Sequence, residues 1–390
     1  MRFALIGPSA PLRGGIAQYH DHLAGALAAH GHAVDRISFR RMYPRLLFPG
    51  RTQFEPSDAT AEGPGAPARD RLPPPVALLD SLGPASWLAV ARRGAAADVA
   101  LVEWWHPFFA PALGVIAALL RRRGVPTLFV CHNLDPHEPM PGGRWLAARA
   151  LGRAAGFVAQ SARDTERLRA RYPGRPVATV LPPSEPPPPC PHGADRSACA
   201  HALGVPAAAR RLLFFGYVRE YKGLPTLIEA LPSVGDDVQL VVAGEIYQHD
   251  ADHYRRLAAK VGAGDRVVVL DRFLGASEVA CCFAMSDLVV LPYWEASQSA
   301  VVPLAMACRR GVVATAVGGL PDLVQDGVTG LLVPPRDAPA LAAAIVRALA
   351  CAPELGRAAG VAADASDWHA AASSIAGLAA TAICGPEGPC

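Results

Sequence analysis

Lysine is almost missing from this chain. Lys222 and Lys260 are the only two in 390 residues, and arginine supplies every other permanent side-chain cation. No lysine–arginine block stands out and the net charge is only +3, which argues against a nucleic-acid partner. No apolar run reaches the roughly 20 residues of a membrane span. Cysteine pairs of the CxxC type are also missing, and the nine cysteines are scattered. Cys190 and Cys199 flank His192, but in a proline-rich stretch, and they are read as linker residues and not as zinc ligands. An odd, dispersed set in a large chain points to a reduced, cytoplasmic protein, and with neither a carboxylate cluster nor a Cys/His set at metal spacing no metal or other cofactor is expected. The opening MRFALIG runs into Pro8 and Pro11, which suits a first strand and not a signal peptide.

What is present is apolar residue in quantity, 51% of the chain, enough to fill two cores of ordinary size. Short buried-strand runs alternate with helical segments: Arg2–Ile6, Ala33–Phe39, Val99–Val102, Thr127–Val130, Phe157–Ser161 and Val177–Leu181 come first. Leu212–Phe215, Gln239–Ala243, Arg266–Leu270, Leu288–Leu291 and Val312–Thr315 follow. The pattern predicts an α/β protein of two Rossmann-like domains, residues 1–181 and 209–364, joined by a proline-rich linker over 182–208. Residues 55–75, rich in proline, glycine, alanine and charge, are expected to form a mobile loop.

Candidate chemistry collects where strands end. Leu212–Phe215 breaks at Gly216, passes Arg219, Lys222 and Gly223, and enters a helix with Pro225 in its first turn. Two cations beside a helix N-terminus make an anion site, because free N–H groups and the helix dipole act with the side chains. An ordinary turn with two solvated cations is the competing reading. Gly14 and Gly15 precede the first helix and allow backbone to approach a ligand closely. Trp104, Trp105 and His106 follow a buried strand; the tryptophans stack on a sugar or acceptor, or fill the core. His132 follows the next strand, with His137 and Glu138 close behind. Ser297, Gln298, Ser299 and Ala300 are expected to open a helix whose N–H groups hold phosphate oxygens.

GYVREYKG is similar to the G-x-x-x-x-x-K-G turn of GT-B glycosyltransferases, in particular the large retaining family often called GT4, and the resemblance extends over nearly the whole chain. It implies that Arg219 and Lys222 grip the diphosphate of a nucleotide-sugar donor, with the Gly14–Gly15 loop facing the phosphates across a cleft. It implies that His132 contacts the donor sugar, and that the strand end at Arg272 and Phe273 packs on the base. Gly216, at the turn itself, and Glu245, in the loop after the next strand, join the donor set; His137 and Glu138 are candidates for orienting the acceptor. GGLPDLVQDGVTGLLVPPRD is the most recognisable tract, with Gly327 and Gly330 supplying turns. The final helix, about 368–383, should cross back to the first domain. Two departures stand out. The family's E-x₇-E positions are Ala296 and Leu304 here, with Glu295 one place off, so sugar contact passes to Glu295 or to Ser297, Gln298 and Ser299. Arg309-Arg310-Gly311 replaces the usual Gly-x-Pro.

Together these features imply a retaining glycosyltransferase acting without metal on a lipid-linked, glycan or natural-product acceptor. A nucleotide-sugar epimerase or hydrolase of the same fold, or an inactive nucleotide-sugar-binding scaffold, are the rivals. The cationic, aromatic segment 40–53 is compatible with a phosphorylated acceptor or with peripheral membrane contact, as well as with a solvated loop.

Overall fold

The computed structural model describes residues 1–44, 52–54, 72–135, 140–193 and 195–384. Within them the chain divides into two compact units, Met1–Leu181 with the chain from Trp368 onward, and Pro182–Asp367.

The first unit holds a seven-stranded parallel sheet. Its strands are β1 (Arg2–Ile6), β2 (Ala33–Arg41), β3 (Val76–Asp80), β4 (Val99–Trp104), β5 (Thr127–Cys131), β6 (Gly156–Ala159) and β7 (Val177–Thr179), in the order β3-β2-β1-β4-β5-β6-β7. The strands are apolar almost throughout because helices cover both faces, as parallel sheets require. Helices Pro84–Gly94, Ala110–Arg121 and Gly143–Leu151 enclose one core with Phe109, Ile116 and Phe129. On the other face Leu23 and Leu27 of helix Gly15–Ala29 meet Ala372, Ile375 and Ala379 of the last helix, Trp368–Cys384. Trp368 lies edge-on to Tyr19 at 5.0 Å, so the C-terminal helix is returned to the first unit.

The second unit repeats the plan with six parallel strands: β8 (Arg210–Phe215), β9 (Val238–Ala243), β10 (Val267–Leu270), β11 (Leu288–Leu291), β12 (Gly311–Thr315) and β13 (Gly330–Val333), ordered β10-β9-β8-β11-β12-β13. In each sheet the order reverses beside the first strand, at β1/β4 and β8/β11. Open α/β sheets bind ligands at the carboxyl ends of strands flanking that reversal.

Four elements differ from the sequence expectation. Strand β3 was not anticipated, because VALLD is short and follows three prolines. Helix Arg196–Ala202 forms inside the expected linker, capped by the Asp195 carboxylate and carrying buried Cys199 and Ala200. Gly330 is no turn residue; it opens β13, where a Cβ would fall 2.0 Å from the Val312 carbonyl oxygen. The helix after β11 begins at Val301, so Ser297–Ser299 form a loop before it, and the Ser299 hydroxyl accepts from Val301 N–H at 3.2 Å. Leu46, Leu47, Phe48, His137, Glu138 and most of the expected mobile loop lie outside the described residues.

Among the described residues no single helix is long and apolar enough to cross a membrane.

Candidate functional site

At the β8/β11 reversal, the turn after β8 carries both predicted cations. Arg219 Cζ lies 4.9 Å from the centre of the Tyr247 ring, and Lys222 Nζ 5.4 Å from that of Tyr293. Each tyrosine face holds its cation electrostatically, and a ring face leaves the Lys222 ammonium hydrogens for another partner. A Cβ built on Gly216 would come 3.3 Å from Lys222 Nζ, so the ammonium is held against the backbone at the strand end. Burial, and then the charge of Arg219, push the Lys222 amine down to about 8. No carboxylate pairs with Lys222 among the described residues. A cation kept beside another cation without an acid to balance it is poised for an anion from outside.

The neighbouring loops interlock around this turn. A Cβ on Gly244 would lie 2.3 Å from the Gly216 carbonyl oxygen, and Trp294 N–H donates to the Tyr221 carbonyl at 2.7 Å. Trp294 Nε1 donates to Thr226 at 2.9 Å, and Arg336 covers the same indole at 4.3 Å. Glu245 is buried directly after β9, Ser299 is buried in the loop after β11, Gln298 is half-buried and Glu295 is exposed. Arg272, after β10, pairs with Glu278 at 2.6 Å, and Phe273 beside it is half-buried. The carboxyl ends of β8, β9, β10 and β11 therefore carry Gly216, Arg219, Lys222, Glu245, Arg272, Phe273 and residues 295–300.

Gly318, after β12, sits at φ +55°, and a Cβ there would fall 1.7 Å from the Ala296 carbonyl oxygen. Gly318→Ala must displace the 295–299 loop as well as strain the backbone. It is expected to cost clearly more than the roughly 1 kcal/mol of a positive-φ alanine alone. Gly327→Ala, at φ +76° with nothing within 4 Å, provides the comparison. Thermal unfolding midpoints measure the difference, and equal losses would contradict the interlock.

In the first unit the β1/β4 reversal holds a buried network that sequence reading did not assemble. Glu103, on β4, lies between two histidines: Oε2 is 2.6 Å from His132 Nε2 and Oε1 is 3.2 Å from His20 Nδ1. His132 Nδ1 is 3.1 Å from Gln160 Oε1, and Tyr19 meets the imidazole edge-on at 4.9 Å. Burial alone would raise the Glu103 carboxyl, but hydrogen bonds and charge from His132 and His20 outweigh it and hold the acid below its ordinary value. Gly7 makes room, since a Cβ there would meet Glu103 Cγ at 2.4 Å. His132 is 2% exposed with both ring nitrogens engaged, so the ring expected to touch the sugar is enclosed as it stands. The signal for Glu103 was available: an acid inside an all-apolar parallel strand needs buried partners.

Trp104 is fully buried in the core against Phe129. The core alternative holds for it, and it is unavailable to an acceptor. Trp105 is half-buried, packs on Phe39 and Phe109, and donates to the Tyr43 hydroxyl at 3.2 Å. The His106 ring accepts from Phe108 N–H at 3.1 Å and caps the turn that follows. Gly14 caps helix Gly15–Ala29 at φ +119° with no side chain bonding the first turn. The early amides of this helix therefore remain able to meet an anion. Arg40 and Arg41 both pair with Asp80, at 3.7 and 2.8 Å, so one carboxylate offsets part of the positive charge of this segment.

Comparison with known proteins agrees with this layout. The family described as "Glycosyl transferases group 1" matches residues 209–351, and "Glycosyl transferase 4-like domain" matches residues 14–184. A D-inositol 3-phosphate glycosyltransferase of Geodermatophilus obscurus is 30% identical over 374 residues, covering 89% of this chain and 80% of that protein. One from Pseudarthrobacter chlorophenolicus is 31% identical over 250 residues, 62% of this chain and 56% of its own length. Among solved structures, Anabaena Alr3699/HepE in complex with UDP aligns over 98% of this chain and all of that one, with TM-score 0.73 and 19% identity. These likenesses, with two Rossmann-like units of the two-domain GT-B fold, make the conclusion plain: the chain belongs to the GT4-like, group 1 glycosyltransferases.

Proposed function

We propose that this glycosyltransferase moves a sugar, with retention of configuration, from a nucleoside diphosphate to an acceptor and needs no metal to do so. The observation that carries the reading is Lys222, a cation set beside Arg219 at the end of β8 with no acid to balance it. Breaking the bond to the sugar leaves charge on the diphosphate, and preorganised cations stabilise that charge as it develops. With Arg219 and Lys222 on the phosphates, the acceptor attacks from the face the leaving group departs from. The departing phosphate oxygen then takes the acceptor's proton. Arg272 and Phe273 are assigned to the base, and Glu295 with Ser297, Gln298 and Ser299 to the sugar. Solved relatives of the same fold hold UDP or UDP-glucose, which supports a nucleotide-sugar donor. The acceptor belongs to the lipid-linked, glycan or natural-product classes, and relatives named for D-inositol 3-phosphate add a phosphorylated polyol. Cytoplasmic residence, with residues 40–53 touching a membrane surface when the acceptor is lipid-linked, belongs to the same reading.

Labelled UDP-, GDP- and ADP-sugars offered with and without an acceptor panel test this. Transfer that keeps the anomeric configuration, with donor nearly untouched when acceptor is omitted, is the expected result. Donor hydrolysed or epimerised in the absence of acceptor, or bound and never transferred, overturns it.

The amine of Lys222 also sets a pH dependence. Below about 8 it is charged in the free protein; above that, an arriving diphosphate has to bring a proton with it. Nucleoside diphosphate affinity is expected to fall by up to roughly tenfold per pH unit between about 8 and 10. Titration calorimetry across that range should show the decline in the wild type and lose it in Lys222→Met. An identical slope in both proteins contradicts the assignment.

A further inference from the structure

Three cysteines far apart in sequence converge on one point in the second unit. Cys190 ends the extended proline-rich segment, Cys199 lies on helix Arg196–Ala202, and Cys281 lies on helix Ala276–Met285, which packs on it. Cys190 Sγ is 3.4 Å from Cys199 Sγ and 3.9 Å from Cys281 Sγ, and all three sulfurs lie within 4.8 Å of one another. All three are free thiols; Cys199 and Cys281 are buried and Cys190 is half-buried. Sulfurs bound to one tetrahedral zinc ion at about 2.3 Å stand roughly 3.8 Å apart, so the observed spacings bracket those of a shared ion.

We propose that Cys190, Cys199 and Cys281 form a thiolate site for a zinc ion, with the fourth position left to an exchangeable ligand such as water. Three soft sulfur donors at this spacing select a thiophilic ion and exclude magnesium or calcium, which take oxygen ligands. Binding converts the thiols to thiolates and releases their protons to solvent, so affinity rises with pH.

The frame around the sulfurs is rigid. Arg196 clamps both Asp287 carboxylate oxygens at 2.7 Å, which fixes the helix bearing Cys199 against the start of β11. Cys281 follows Glu278 by one helical turn, and Glu278 holds Arg272. An ion would therefore fasten the segment leaving the first unit to the same helix that positions Arg272. This site lies apart from the transfer chemistry and does not depend on how the donor is bound. Sequence spacing could not reveal it, since Cys281 arrives from 82 residues beyond Cys199.

The test uses the whole 390-residue chain, purified under reducing conditions without chelator. Elemental analysis should find about one zinc per chain. The metal-free protein titrated with Co²⁺ should develop thiolate-to-cobalt charge-transfer absorption that saturates at one equivalent. Cys190→Ser, on an extended and half-buried segment, is the variant least tied to folding. It should weaken Co²⁺ binding at least tenfold with unchanged circular dichroism, and Cys281→Ser should do the same. Cys351→Ser, outside the cluster, should bind as wild type. The proposal is overturned by wild-type protein that binds neither ion, by binding that survives in both cluster variants, or by mass spectrometry showing a Cys190–Cys199 disulfide in place of metal.

Discussion

Replacing Lys222 by alanine is expected to lower sugar transfer by about 10²–10³-fold, and Arg219→Ala by a similar factor, the scale of losing one preorganised charge-stabilising group. The loss should fall mainly on turnover, because charge on the diphosphate grows as the sugar leaves. Lys222→Ala also relieves the burial of an unbalanced ammonium, so the folded state should be no less stable than wild type near neutral pH. That combination, large kinetic loss without thermal destabilisation, separates a ligand-directed cation from a structural one. Steady-state kinetics with saturating acceptor, beside thermal unfolding, measures both. Turnover within a few-fold of wild type in both single variants would contradict the role given to this turn.

The second large effect concerns the first unit. Glu103→Ala leaves His20 and His132 enclosed without their shared carboxylate and opens a void beside Gly7. Removing one member of a buried, hydrogen-bonded charge pair costs about 3–5 kcal/mol, and that is the expected drop in the denaturant-unfolding free energy of this unit. Glu103→Gln keeps the shape and one acceptor oxygen and should lose less. Acidity should act in the same direction. Glu103 is held below its ordinary 4.5, so the stability it contributes is complete above that value and drains away as pH falls through its lower folded value. The Gln variant should show a shallower acid limb than wild type. A Glu103→Ala protein within 1 kcal/mol of wild type, by this same measurement, would show that the network is incidental.

The two halves of the molecule were legible to different degrees. Strand after strand was readable because parallel sheets covered on both faces write themselves as short apolar runs, and LLFF, QLVVA and LVVL could be little else. The turn after β8 was readable for a related reason: glycine, two cations and a helix start lie within a dozen residues, so sequence proximity stood in for spatial proximity. Where a site is assembled from distant segments that substitute failed. Glu103, His20, His132 and Gln160 span four separate stretches. His132 was singled out from resemblance, without the partners that now enclose its ring. Trp104 and Trp105 looked alike in sequence, yet the first closes β4, a strand buried along its whole length, while the second lies just past the strand end and stays half-exposed beside Tyr43. The cysteine cluster is the extreme case, since only the packing of two helices brings Cys281 to the others.

The E-x₇-E departure also gains a physical setting. Ala296 and Leu304 are both partly buried apolar residues packed against the core of the second unit, so the altered positions do structural duty. The loop they frame carries Glu295, Ser297, Gln298 and Ser299 next to the cationic turn, which is why sugar contact is assigned to it.

The most direct measurement is a crystal structure of this chain with a nucleoside diphosphate bound. The account predicts the terminal phosphate within hydrogen-bonding distance of Lys222 Nζ and of the Arg219 guanidinium, at the carboxyl end of β8. A diphosphate bound elsewhere, in contact with neither side chain, would contradict it.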